Sequence, residues 1–141
     1  MYGDTEAIRR LARTMREQGS ALRSEAATLL VRADAVPWHG LAADAMRARV
    51  QAQVASLRRT AGLSDDAAVA LDRHADEVDR LKALIAEIER QVLALVSAAR
   101  DRLAGLLADV LPDPVDELLT RFVPPPPGHR DWLLVDLPGL T

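Results

Sequence analysis

Residues 31–50 read VRADAVPWHGLAADAMRARV, and the four residues Pro37-Trp38-His39-Gly40 at their centre decide how the rest of the chain is arranged. Pro37 disfavours the helical conformation at Val36, so a helix arriving from the N-terminal side must stop between Asp34 and Val36. Gly40 supplies the backbone freedom that a sharp reversal requires. Trp38 is placed to plug the apolar end of a helical hairpin, its indole N–H free to find a carbonyl or a partner. Helix-forming sequence resumes at Leu41. So short a turn between two periodic stretches predicts an antiparallel helical hairpin.

Upstream of the turn, Ile8, Met15, Leu22, Leu29 and Val36 recur every seven residues. Leu11, Ala26 and Ala33 fill positions three or four away, giving one helix with a narrow apolar seam. Asp4 or Thr5 can cap its start, and Glu6 adds negative charge to the first turn. Downstream, a single register runs through Met46, Val50, Val54, Leu57, Ala61, Ser64, Ala68, Leu71, Ala75, Val78, Leu81, Ile85, Ile88, Val92, Leu95 and Ala99. Gly62 followed by Ser64-Asp65-Asp66 could read as a helix stop and a new cap. The apolar phase stays in step across it, which predicts one continuous helix from Leu41 toward Gly105.

A helix of that length spans roughly 95 Å, against about 45 Å for the first. The first helix therefore cannot cover the second. Beyond about Leu71 the stripe also broadens, with Leu84, Leu93, Val96, Leu106 and Leu107 flanking it, and a large exposed apolar surface marks an interface. Either the overhang pairs with another chain, or the segment after Gly105 folds back along it. The partner-interface reading assigns Leu57, Leu71, Val78, Leu81, Ile85, Ile88, Val92 and Leu95. A thin, nearly aromatic-free core also argues for an obligate helical dimer or larger bundle.

The chain changes character after Gly105, since seven of its eight prolines fall in the last thirty residues. In LLADVLPDPVDELLTRF, Asp113 or Asp116 could cap a short third helix with Val115, Leu118, Leu119 and Phe122 on one face. Pro124 to Pro127 form an extended spacer. The following GHRDWLLVDLPGLT carries Trp132, Leu133, Leu134, Val135 and Leu137, too apolar for a solvated tail. Trp132, Leu134, Val135 and Leu137 are assigned to docking, either as a strap folded back on the bundle or in recognition of a separate protein. The fold class is thus all-α: a long hairpin with an extended second helix, a short third helix and a Pro-rich tail, forming a four-helix bundle on dimerisation. The divisions are 1–104 hairpin, 105–123 helical segment and 124–141 spacer and tail.

Composition narrows the function. The 141 residues contain no Cys, 18 basic and 21 acidic side chains, and 3% aromatics, which excludes a disulfide framework and thiolate metal sites. Segment charges are +1 for 1–36, zero for 37–104 and −4 for 105–141, so no basic patch points to nucleic acid. The longest uncharged apolar run, Gln91 to Ala99, is far below the roughly 18–20 residues of a membrane-spanning helix. MYGDTEAIRR lacks the pattern of a cleaved secretory signal.

Catalysis finds little support. His39, His74 and His129 form no metal-binding pair at helical spacing. Glu87 and Glu89 face different sides of a helix. Asp72, Asp76 and Asp79 lie among Arg73, Arg80 and Lys82, as solvated charge pairs do. His74 reads as a polar helix-edge residue. No phosphate loop or nucleophile elbow is present, and no cofactor or metal is expected.

The Trp38-x-Gly40 turn in an Ala-rich hairpin, followed by Ala42, Ala43, Ala45 and Met46, resembles the WXG100 (ESAT-6-like) superfamily over roughly residues 4–104. The stretch LRRTAGLSDDAAVALDRHADEVDRLK is similar to the second helix of longer actinobacterial-style members that act as secretion-signal or targeting domains. The resemblance implies a non-enzymatic protein of type VII secretion. Such a protein forms a homodimer, or a heterodimer with a WXG100-like protein or effector, and engages the secretion machinery. It is cytoplasmic before export and then secreted or at the cell surface without a cleaved signal.

Family members commonly carry Y-x-x-x-D/E after the second helix. Here the only match is Tyr2 to Glu6, at the other end of the chain, and His74 with Val78 does not replace it. That departure, with the added tail, implies a targeting partner or a protein whose partner supplies the missing signal. Two other readings are a cytoplasmic coiled-coil scaffold and a non-exported effector chaperone or antitoxin.

Overall fold

Asp4 opens the first helix as expected: its carboxylate accepts a hydrogen bond from the Ala7 N–H at 3.0 Å, satisfying one of the free donors at the helix start. In the computed structural model, which describes residues 3–107 and 110–141, α1 spans Thr5–Asp34 and α2 spans Leu41–Ala104 without interruption at Gly62. Helix α3 follows at Pro114–Arg121, and a short 3-10 helix lies at Arg130–Leu134. No strand occurs among the described residues. The boundaries at Asp34, Leu41 and Ala104 fall where Pro37, Gly40 and Gly105 place them. Tyr2, half of the Tyr2–Glu6 match, lies outside the described residues, as do Ala108 and Asp109 within the segment after Gly105.

Contacts group the chain into two compact units, Asp4–Asp76 and Gly3 with Glu77–Thr141, so α2 contributes to both and the boundary falls inside it. In the first unit α1 packs on the proximal part of α2. The buried row of α1 is Ala12, Gly19, Ala26 and Ala33, facing Ala43, Val54, Ala61, Ala68 and Ala75 of α2. The larger heptad row Ile8, Met15, Leu22, Leu29 and Val36 is half-buried beside it. Leu11, expected in the seam, is exposed. Small residues hold the centre because the two backbones come close. A Cβ added at Gly19 would lie 2.8 Å from Asp65 Oδ1 and 3.2 Å from the Ala61 carbonyl oxygen.

Charge follows the same register. Arg9 pairs with Asp76 at 3.0 Å, Arg16 with Asp72 and Arg23 with Asp65. The acids of α2 therefore find their partners across the hairpin, which corrects the expectation that Asp72 and Asp76 are neutralised by Arg73, Arg80 and Lys82 of their own helix. Pairs of the expected local kind exist farther along, at Glu77–Arg80 and Glu87–Arg90. Hydrogen bonds from Arg90 and then Gln91 hold Glu87 down at about 2.

In the second unit the segment after Gly105 folds back on α2. Ile85, Val92, Val96 and Ala99 of α2 form one buried cluster with Leu119, Trp132 and Leu137. Ile88, Leu95, Phe122, Leu133, Val135 and Leu140 pack around it. Of the two destinies the sequence left open for the overhang, the fold-back is the one present in this chain.

Candidate functional site: the hairpin turn and the covered seam

The turn belongs to the first unit. After Asp34 the Ala35 N–H bonds to the Val31 carbonyl and the Val36 N–H to that of Ala33, closing the helix end before Pro37. Gly40 then adopts φ +112°, with open space where a Cβ would stand. Only glycine takes this conformation without strain. Arg47, one turn into α2, reaches back to donate to the carbonyls of Val36 at 2.9 Å and Trp38 at 3.1 Å. It also lies 3.8 Å from Asp44. This guanidinium fixes both sides of the reversal, and its role was not read from the sequence. In sequence it is one more arginine on a mixed helix, and nothing local marks it as the turn's clamp.

Trp38 does not plug the hairpin. It is 52% exposed, and Leu41 beside it in sequence is 91% exposed. The nearest layers of the seam are Ala33 and Ala43, both buried without it. The turn thus presents a large aromatic to solvent on a backbone held by Arg47.

The assigned tail residues lie in the second unit and divide in two. Trp132 is 1% exposed, and its indole Nε1 donates to the Pro126 carbonyl at 2.9 Å. Leu137 is buried and Val135 half-buried, whereas Leu134 points outward, 83% exposed. The cause is the 3-10 helix, begun by His129, whose Nδ1 accepts from the Asp131 N–H. Three residues per turn put Leu134 on the side away from Trp132. Glu89 receives the Gly128 N–H at 3.3 Å, tying the end of the proline spacer to α2.

Helix α3 is capped by Asp113, which accepts from the Val115 N–H. Its packing face differs from the expected apolar one: Leu119 and Asp116 are buried, while Val115 and Leu118 are exposed. Asp116 turns inward because Arg102, in the last turn of α2, grips both its oxygens at 2.7–3.1 Å. That grip holds the Asp116 carboxyl below the usual carboxylate range and raises Arg102.

Of the residues assigned to a partner interface, Val78, Ile85 and Val92 are buried, and Leu57, Leu71, Leu81, Ile88 and Leu95 half-buried, within this single chain. Leu57 and Leu71 belong to the first unit, and Val78 to Leu95 to the second. Among the described residues no helix is long and apolar enough to cross a membrane.

Comparison with known proteins places these features. A family model described as "Putative T7SS secretion signal domain" matches residues 1–107, which takes in α1, the turn and all of α2. No curated protein and no solved structure gave a match. Membership in such a family supports the role of a type VII secretion-associated substrate, exported by that route. With about three quarters of its length matched, including the hairpin and its Trp38–Gly40 turn, the chain belongs to the family of type VII secretion signal domains.

Proposed function

We infer that the hairpin turn is the element by which this signal domain is read, and that the chain is a non-enzymatic, WXG100-like export partner. The observation that carries this is the exposure of Trp38 on a reversal clamped by Arg47. A tryptophan of that size left in water contributes little to the fold, whereas an aromatic with a free edge suits recognition. The described residues show no Y-x-x-x-D/E after α2, so the machinery reads a composite of this turn and a WXG100-like or effector partner that brings the acidic half. Pairing with that partner in the cytoplasm precedes export without a cleaved signal, as in the actinobacterial systems the sequence resembles.

The test is export of Trp38→Arg from a host with a functional type VII system, measured as the ratio of culture filtrate to cell pellet. Replacing an exposed residue should change stability by no more than about 0.5 kcal/mol. Loss of filtrate signal with an unchanged helical circular dichroism spectrum is the expected result. Wild-type levels in the filtrate would refute the role of the turn.

A further inference from the structure

The register of α2 is the starting point. Along the part that packs on α1, Val54, Leu57, Ala61, Ser64, Ala68, Leu71 and Ala75 step by threes and fours. The same stepping continues through Val78, Leu81, Ile85, Ile88, Val92, Leu95 and Ala99, but from Ile85 onward the cover is the segment that holds an eight-residue helix and a 3-10 turn, while Val78 lies against Gly3. A sustained heptad seam is the complement of a helix, whose side chains enter its holes layer by layer. An irregular strap needs no such spacing. Its fit is also incomplete: a cleft of about 230 Å³ remains between Val92, Leu93 and Val96 on α2 and Phe122 and Pro124 on the strap.

We propose that residues 113–141 are a displaceable cover, and that the occupant they exclude from the distal seam is the same seam of a second copy of this chain. The seam is self-complementary when run antiparallel. Centred between Ile85 and Ile88, the pairing sets Leu81 against Val92 and Ile85 against Ile88, aliphatic on both sides, and the outer layer, Val78 against Leu95, forms once Gly3 also leaves Val78. Flanking positions agree in charge. In that register Lys82 of each copy lies beside Glu89 of the other, giving two reciprocal ion pairs. In the covered chain Lys82 has no ion-pair partner among the described residues, and Glu89 is occupied by the Gly128 N–H of the strap. Strap release therefore frees the group that the second copy needs. The two-fold arrangement is closed, so it ends at a dimer. This proposal does not depend on the reading of the turn as an export signal.

The test uses the full chain and its mass by light scattering across a concentration series. Wild type is expected near the monomer mass of 15.3 kDa. Trp132→Ser combined with Leu137→Ser undocks the strap and is expected to give a helical dimer with trypsin cleavage newly admitted after Arg130. Adding Glu89→Lys to that variant sets like charges together and is expected to return it to monomer. Adding Lys82→Glu as well restores the dimer.

A wild-type dimer with a protease-resistant strap would overturn mutual exclusion. An undocked variant that stays a folded monomer, unfolds, or grows into open-ended aggregate would overturn the closed pairing. An undocked dimer indifferent to Glu89→Lys would overturn the register.

Discussion

Two glycines inside helices show how little a residue type says until its neighbours are known. Gly19 lies where α1 approaches α2 closely, with the Ala61 backbone oxygen 3.2 Å from any added Cβ. Gly62 lies in mid-helix with nothing within 4 Å. Gly19→Val should therefore cost about 1–3 kcal/mol through overpacking. Gly62→Ala should instead gain roughly 0.5–1 kcal/mol, because alanine loses less backbone freedom in a helix. Urea unfolding followed by circular dichroism measures both, and opposite signs are the expected result. The sequence showed which residues lie along the hairpin seam but not which row forms its centre. Periodicity ranks positions by hydrophobicity, and so favours Ile8, Met15 and Leu22. The distance between two backbones selects Ala12, Gly19 and Ala26, and that distance is a property of both helices together. Arg47 was hidden for a related reason, since its partners are main-chain carbonyls that carry no side-chain signature.

At the scale of elements, helix ends were the most legible feature because caps are local chemistry. Asp4, Pro37, Asp113 and Gly105 act within a few residues of themselves, and the boundaries follow them. The face of α3 was not legible, since a pattern of Val115, Leu118, Leu119 and Phe122 predicts burial of all four. An ion pair with a residue on another helix rotated Asp116 inward instead. That pair makes strap docking pH-dependent in a definite direction. The carboxyl of Asp116 in the folded chain is held below its ordinary value of 3.8, chiefly by the hydrogen bonds from Arg102. Its stabilising contribution is therefore fully present above 3.8 and is lost as pH falls through the lowered value. Docking should be flat from neutral pH down to about 4 and weaken below it. Fluorescence of Trp132 in a Trp38→Phe chain reports this directly. Asp116→Asn should loosen the strap at neutral pH and abolish the acid transition. Glu77 and Glu87 are also lowered by their arginines, but both pairs are exposed and lie outside the cluster around Trp132.

For the molecule as a whole, a chain of so few aromatics places one of its two tryptophans in water and the other at the centre of a core. Trp38 follows Pro37 directly in a turn, whereas Trp132 stands within the 3-10 helix, followed by Leu133, Leu134 and Val135. The core around Trp132 draws every member from the second unit, while the first unit is held by a seam of small residues and cross-hairpin ion pairs. Truncating the buried indole should thus be felt unevenly along the chain. Trp132→Ala removes a side chain in contact with Phe122, the ring centroids being 6.5 Å apart, and also the donor to the Pro126 carbonyl. The expected loss is about 3–5 kcal/mol in the second unit. Hydrogen exchange by mass spectrometry locates it: amides of 113–137 should exchange faster, while those of α1 keep wild-type protection. Equal acceleration in α1 would show that the hairpin depends on the strap for its stability. That outcome would make the tail a structural requirement of the signal domain and not a cover laid upon it, because the family match ends at residue 107, before α3 begins.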